Sequence, residues 1–193
     1  MLTYLRWEVQ RFLQLPTEDT PHDASKRFSG LLDLDRRLGN VYDNFHPHIQ
    51  YVNPITFTSP KIDKYRLFTV HCLYRSTSCA LHSSVVPLFS NHATNPHASK
   101  KAMRLSAEES VKHAAIILEM ATAFMNSRPD ISRLPSIVGF AMFVASTIQF
   151  KSLGAQRKLQ THGTGRFKAA IFILDHLKAY WDSLEGLVSR TTT

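Results

Sequence analysis

Cysteine is scarce in this chain of 193 residues: there are two, Cys72 and Cys79. Seven positions apart on a helix, they stand ~10.5 Å apart along the axis, farther than a disulfide tolerates. Thiols that cannot pair with each other point to a reducing compartment. No Asn-x-Ser/Thr glycosylation acceptor occurs either, in agreement with an intracellular setting. Glycine is short as well, at 7 residues, against the ~7% usual in globular chains. Few glycines and long uninterrupted segments argue against a many-turned β architecture. The start, Met1-Leu2-Thr3-Tyr4-Leu5-Arg6, has neither the basic opening nor the apolar run of a secretory signal. Also missing are a Gly-x-Ser-x-Gly elbow, Walker spacing, a Cys-x-x-Cys and a His-x-x-x-His pair. The commonest nucleophile, phosphate-loop and zinc signatures are therefore absent.

What is present is ordinary for a globular protein, with 44% hydrophobic and 20% charged residues. Residues 1–193 suit one domain, since a single core commonly serves ~100–200 residues. The net charge of +8 permits attraction to nucleic acid or an anionic surface, but such a balance concerns partners rather than fold. The basic residues are mostly dispersed, with a denser stretch from Lys151 to Lys168, and a diffuse positive surface is the plainer reading.

Apolar spacing marks a succession of helices. Leu2, Leu5, Val9, Phe12 and Leu13 form one stripe that stops at Pro16. Thr17 to Asp23 reads as a connection, and a second helix is expected over about Ala24 to Leu38. Gly39-Asn40 is its expected C-cap, with a kinked continuation to Phe45 as the alternative. Pro47, Pro54 and Pro60 make Phe45 to Pro60 a loop or arm. A third helix is expected from Lys61 to about Val86. From Leu67 to Ser90 its only full charge is Arg75, and a helix neutral nearly all round is usually interior.

Residues 90–104 are polar and read as a mobile loop. Ser106-Ala107-Glu108-Glu109 has the form of a capping box. The helix after it should bury Val111, Ala114, Ala115, Leu118, Ala121 and Met125, and end at Arg128-Pro129-Asp130. Leu134 to Phe150 runs for 17 residues without a charge. A membrane span needs ~20 predominantly apolar residues, and this stretch includes Ser136, Ser146, Thr147 and Gln149, so a central core helix accounts for it better. The last helix, about Arg166 to Val188, has a seam of Phe167, Ile171, Leu174, Leu177, Trp181, Leu184 and Val188. Residues 189–193 read as a frayed tail. The fold class is all-α, with about six helices packed as an irregular bundle around a central apolar helix.

Three neighbouring features carry a family resemblance. Leu73-Tyr74-Arg75-Ser76 leads into Leu81-His82-Ser83 on one neutral helix. His113-Ala114-Ala115-Ile116-Ile117-Leu118 follows on the next, and then come an apolar helix from Leu134 and one bearing Leu174, Leu177 and Trp181. Over Phe28 to Leu187 this order resembles the C-terminal part of the fungal-specific transcription-factor domain, the helical regulatory module that accompanies Zn₂Cys₆ DNA-binding clusters. Ser83-Ser84 stand where that family has Arg-Pro, and its Arg-x-x-Trp-Trp-like element is not found, which implies a part-length domain. A Zn₂Cys₆ cluster needs six thiolates, so this chain would not read DNA by that route.

The resemblance implies transcription regulation through a regulatory or ligand-sensing helical domain in the nucleus, with a cytoplasmic location as the alternative. The implied partners are proteins of the transcription machinery or a co-regulator, together with a small-molecule effector. No sequence-specific DNA binding by this chain, no membrane and no cofactor are expected. A homodimer through the final seam is a further arrangement.

Among the candidate chemistries, His71 and His82 are close to three helical turns apart and could share a face with Cys72 or Cys79 nearby. Core or surface histidines are the plainer reading, and no metal ligand is assigned. Asp175-His176 are sequence neighbours that point in different directions, so no catalytic residue is assigned. The alternative function is a biosynthetic cyclase or isomerase using His82, Tyr74 or Asp175. His162-Gly163-Thr164-Gly165-Arg166-Phe167-Lys168 could bind an anion at a helix start, although a solvated basic loop explains it more simply. A mostly apolar small-molecule pocket would be lined by Tyr74, Cys79, His82, Phe143 and Gln149, against the simpler reading that these are satisfied core residues.

Overall fold

The computed structural model describes residues 1–15, 20–47, 49–50, 63–90, 99–155 and 164–181. Among them are six α-helices, one 3₁₀ turn and no strand, so the protein is all-α. Helix α1 (Leu2–Gln14) buries Leu5, Val9 and Phe12 and stops at Leu15, which is extended ahead of Pro16 as a residue before proline should be.

Helix α2 (Pro21–Asp43) starts earlier than expected and takes the alternative continuation past Gly39-Asn40 toward Phe45. Thr20 caps it by accepting the Asp23 amide at 3.1 Å, and Pro21 takes the first helical position, where its missing N–H costs nothing. The expected stop at Gly39-Asn40 is not used. Leu38 is buried, and Val41 and Tyr42 pack on the same core one turn later. Tertiary burial thus carries the chain through a glycine whose intrinsic cost is only ~1 kcal/mol relative to alanine.

Helix α3 (Lys64–Ser83) is capped by Asp63, which accepts the Tyr65 amide at 2.9 Å. It ends at Ser83, three residues before the expected Val86. Helix α4 (Lys100–Asn126) overturns part of the expected loop, because residues 100–104 are already helical; residues 91–98 lie outside the described residues. Ser99 is the cap, and Ser106 of the supposed capping box sits buried inside the helix. A Ser-x-x-Glu spacing fits the middle of a helix as well as its start, and Ala102, Met103 and Leu105 favour continuation. The buried face of α4 includes Ile117, Met120 and Phe124 besides the expected Ala114, Leu118 and Ala121, while Val111 and Met125 are only partly covered. Arg128, at φ 47°, turns the chain out of α4 in the left-handed conformation that ends many helices.

After a 3₁₀ turn (Ile131–Arg133), helix α5 (Ser136–Ala155) holds the uncharged stretch. It is the one described helix long and apolar enough to cross a membrane, and half of it is buried inside the protein. Helix α6 (Thr164–Leu177) buries Ala170, Ile173, Leu174 and Leu177. The expected seam holds only in part: Leu174 and Leu177 are buried and Phe167 packs on the core, but Ile171 is 58% exposed and Trp181 41%, and the helix stops before Trp181. Positions 169–174 are apolar without a break, so two stripes competed and packing against α4 and α5 chose between them. Leu184, Val188 and the tail lie outside the described residues.

Two cores result. Phe68, Cys72 and Cys79 of α3 join α4, α5 and α6 in the larger one, where Phe68 and Phe124 stack at 4.3 Å. Tyr74 and Leu81, on the other side of α3, join Leu5, Val9 and Phe12 of α1 and Leu31, Leu34 and Leu38 of α2. Helix α3 belongs to both, which is why its sequence after Arg66 is neutral nearly all round.

Candidate functional site

The single charge of α3 beyond Arg66 lies at the meeting of α2, α3 and α4. Arg75 is 5% exposed, and its Nη1 stands 3.3 Å from His113 Nδ1 on α4. A guanidinium can only donate, so His113 Nδ1 accepts and the imidazole is neutral with its proton on Nε2. Nη2 of Arg75 reaches the Tyr42 hydroxyl of α2 at 3.5 Å. The guanidinium lies 5.7 Å from the Tyr42 ring and 5.9 Å from the Tyr74 ring, within cation–π range. Those two rings stack at 4.5 Å, and His71 meets Tyr42 edge-on while its Nε2 donates to the Ile49 carbonyl at 2.7 Å.

Burial beside a fixed cation sets the titration of this cluster. Burial first, and Arg75 second, push His71 down to about 4 and His113 down to about 3. Glu109 approaches His113 Nε2 no closer than 3.8 Å and is well exposed, too far and too wet to offset that. At neutral pH the cluster is therefore one cation among neutral imidazoles and phenols. Farther along α3, His82 Nε2 donates to Asp35 Oδ1 of α2 at 3.0 Å. That hydrogen bond holds Asp35 below the usual carboxylate range. His82 Nδ1 is buried without a hydrogen-bond partner among the described residues.

The five residues expected to line one pocket divide among three places. Tyr74 and His82 face α2. Cys79 faces α4 and donates to the Ser110 carbonyl at 3.6 Å, while Gln149 of α5 donates to the adjacent Val111 carbonyl at 2.7 Å. Phe143 packs half-buried on the large core from the outer side of α5. Four of the five thus have protein partners of their own. Both thiols are fully buried, and burial pushes them far above the ordinary cysteine value, as for structural rather than reactive cysteines.

The candidate metal pair does not converge, since His71 and His82 turn to Ile49 and Asp35, and no group of three His, Cys, Asp or Glu among the described residues is placed to hold an ion. Asp175 is exposed on α6 and paired with Lys178, apart from Tyr74 and His82. His162 and Gly163 lie outside the described residues.

Sequence reasoning named Tyr74 and His82 but missed Tyr42 and Asp35 as their neighbours. The lone charge of the neutral stretch from Leu67 to Ser90 was the available signal for Arg75, because a buried arginine needs acceptors and aromatic faces close by. Tyr42 lay on the helix only in the alternative continuation to Phe45, and nothing in the local pattern linked it to Arg75.

A second feature is the outward face of α5. Phe140, Phe143, Thr147 and Phe150 recur at steps of three, four and three along it. Phe140, Phe143 and Thr147 are half-buried, and Phe150 is 60% exposed. Arg6 of α1 lies over the Phe140 ring at 4.9 Å. No family model matches the chain, and neither a curated protein nor a solved structure does so.

Proposed function

We propose that this chain is a helical regulatory module of transcription, of the fungal transcription-factor type, that acts through contact with a protein partner in the nucleus. The observation that carries the reading is the outer face of α5, where an apolar stripe from Phe140 to Phe150 is left partly uncovered. Uncovered apolar stripes on an otherwise packed domain are a common mark of partner binding. An enzymatic reading as a cyclase or isomerase would need Tyr74, His82 and Asp175 turned toward one space. The first two are engaged with Tyr42 and Asp35, and the third with Lys178.

Tethering the full chain to a heterologous DNA-binding domain upstream of a reporter tests the proposal. Reporter output should change relative to the DNA-binding domain alone, and Phe150→Glu should cancel the change at equal protein level. An unaltered output overturns the regulatory reading. So does tight, sequence-specific binding of the bare chain to duplex DNA in a gel shift, because the proposed route to DNA is indirect.

A further inference from the structure

The geometry points to an acidic amphipathic helix of a partner protein as the occupant of the α5 outer face, an inference that rests on the regulatory reading and gives its partner a chemistry. Residues three, four and three apart on a helix form the seam into which a second helix sets its own side chains. Phe140, Phe143, Thr147 and Phe150 have that spacing and all face away from the buried side formed by Val138, Met142, Ala145 and Gln149. Ile137 and Val144 flank the stripe and are half-buried as well. Its inner members are half-buried, with Phe143 seated on the core, while Phe150 at its end is 60% exposed.

Charge selects the occupant. Helix α5 has no carboxylate between Ser136 and Ala155. Lys151 follows Phe150 directly, one turn beyond Thr147, and Arg6 covers Phe140 near the other end. The nearest acidic residue on α1, Glu8, is turned away to Arg37 of α2. A cation therefore stands toward each end of an apolar stripe with no anion on its helix. A second copy of this chain would bring the same cations to the interface from both sides, on a protein of net charge +8, which disfavours self-pairing. A helix with leucine or phenylalanine at matching spacing and glutamates on its flanks meets both requirements. A bilayer surface would also accept apolar and cationic groups, but steps of three, four and three match the side-chain period of a packing helix.

The test uses the full chain and a fluorescent synthetic helix with leucines at i, i+3, i+7 and i+10 and glutamates flanking them. Saturable binding by anisotropy is expected, weakening as salt rises. Phe150→Glu, at an exposed position that leaves the fold intact, should weaken it at least tenfold. Lys151→Glu should weaken it severalfold and should improve binding of a matched peptide with lysine flanks. Failure to bind the acidic peptide, or equal binding of acidic and basic peptides, overturns the inference. Light scattering that shows a concentration-dependent dimer abolished by Phe150→Glu assigns the face to a second copy. Binding to anionic phosphatidylserine vesicles, lost in the same variant, assigns it to a membrane; either result overturns the proposal. A responsive reporter without peptide binding removes only the partner chemistry, whereas peptide binding with a silent reporter removes only the regulatory reading.

Discussion

The two sides of α3 are built on different principles. Toward α4, α5 and α6 its residues Phe68, Cys72 and Cys79 meet Phe124, Met142 and their neighbours, all fully buried and nearly all apolar. Toward α2 and the first half of α4 the same helix presents Arg75, Tyr74, His71 and His82, each engaged by a polar or aromatic partner. The first side is held by volume, and losses there follow the space left behind. The second is held by directional contacts, so its strength depends on which groups carry protons. One side makes the domain stable; the other pins α2, α3 and α4 in register.

The largest effect should come from the dry side. Phe124→Ala removes a ring stacked on Phe68 and is expected to cost about 3–5 kcal/mol. Urea denaturation at pH 7 and at pH 5 should give the same loss. A loss that changed strongly with pH would erase the distinction between the two sides.

The next effect concerns the polar side. His71 and His113 are held neutral, at about 4 and about 3, against the ordinary 6.5 of an unfolded histidine. Between about pH 6.5 and pH 4 the unfolded chain therefore binds more protons than the folded one. Stability should be flat between about pH 7 and pH 8 and fall as pH drops through the histidine window, by about 4 kcal/mol from pH 7 to pH 5. Asp35 adds to the loss only at lower pH, since its depressed value stabilises the fold above the ordinary carboxylate range. In Arg75→Met, which keeps volume but removes the adjacent cation, the acid loss should shrink. Chemical denaturation across pH checks both statements, and a flat wild-type profile between pH 7 and pH 5 would contradict the burial of neutral imidazoles.

The smallest effect separates two glycines of α2. An added Cβ at Gly39 meets nothing within 4 Å, so Gly39→Ala should stabilise by about 0.5–1 kcal/mol. At Gly30 the same Cβ meets Phe12 Cε2 at 3.0 Å, and the gain should vanish there as α1 is pushed from α2. Thermal melts of the two variants, with Gly39→Ala the higher, make the check.

Much of the helical order could be read from local signals. Pro16 stops α1, Arg128-Pro129-Asp130 ends α4, and the uncharged run from Leu134 to Phe150 falls almost wholly within α5. The candidate site was half legible. Arg75 stood out as the one charge between Leu67 and Ser90, and Tyr74 and His82 were singled out, but their partners lie 32 to 47 residues away along the chain. No local pattern links Asp35 to His82 or Tyr42 to Arg75; only the packing of α2 against α3 does. Cys79 and Gln149, expected in one pocket with them, instead hold neighbouring carbonyls of α4 from two sides.

What the amino-acid order settled alone is the all-α class and the existence of its helices, because proline, caps and apolar period act within a few residues of chain. Which Ser-x-x-Glu lies inside a helix and which stripe of α6 faces inward were decided by tertiary structure. So were the groups surrounding Arg75. A helix apolar on several sides has no preferred face until its neighbours arrive, and a buried charge acquires its partners only where distant segments meet.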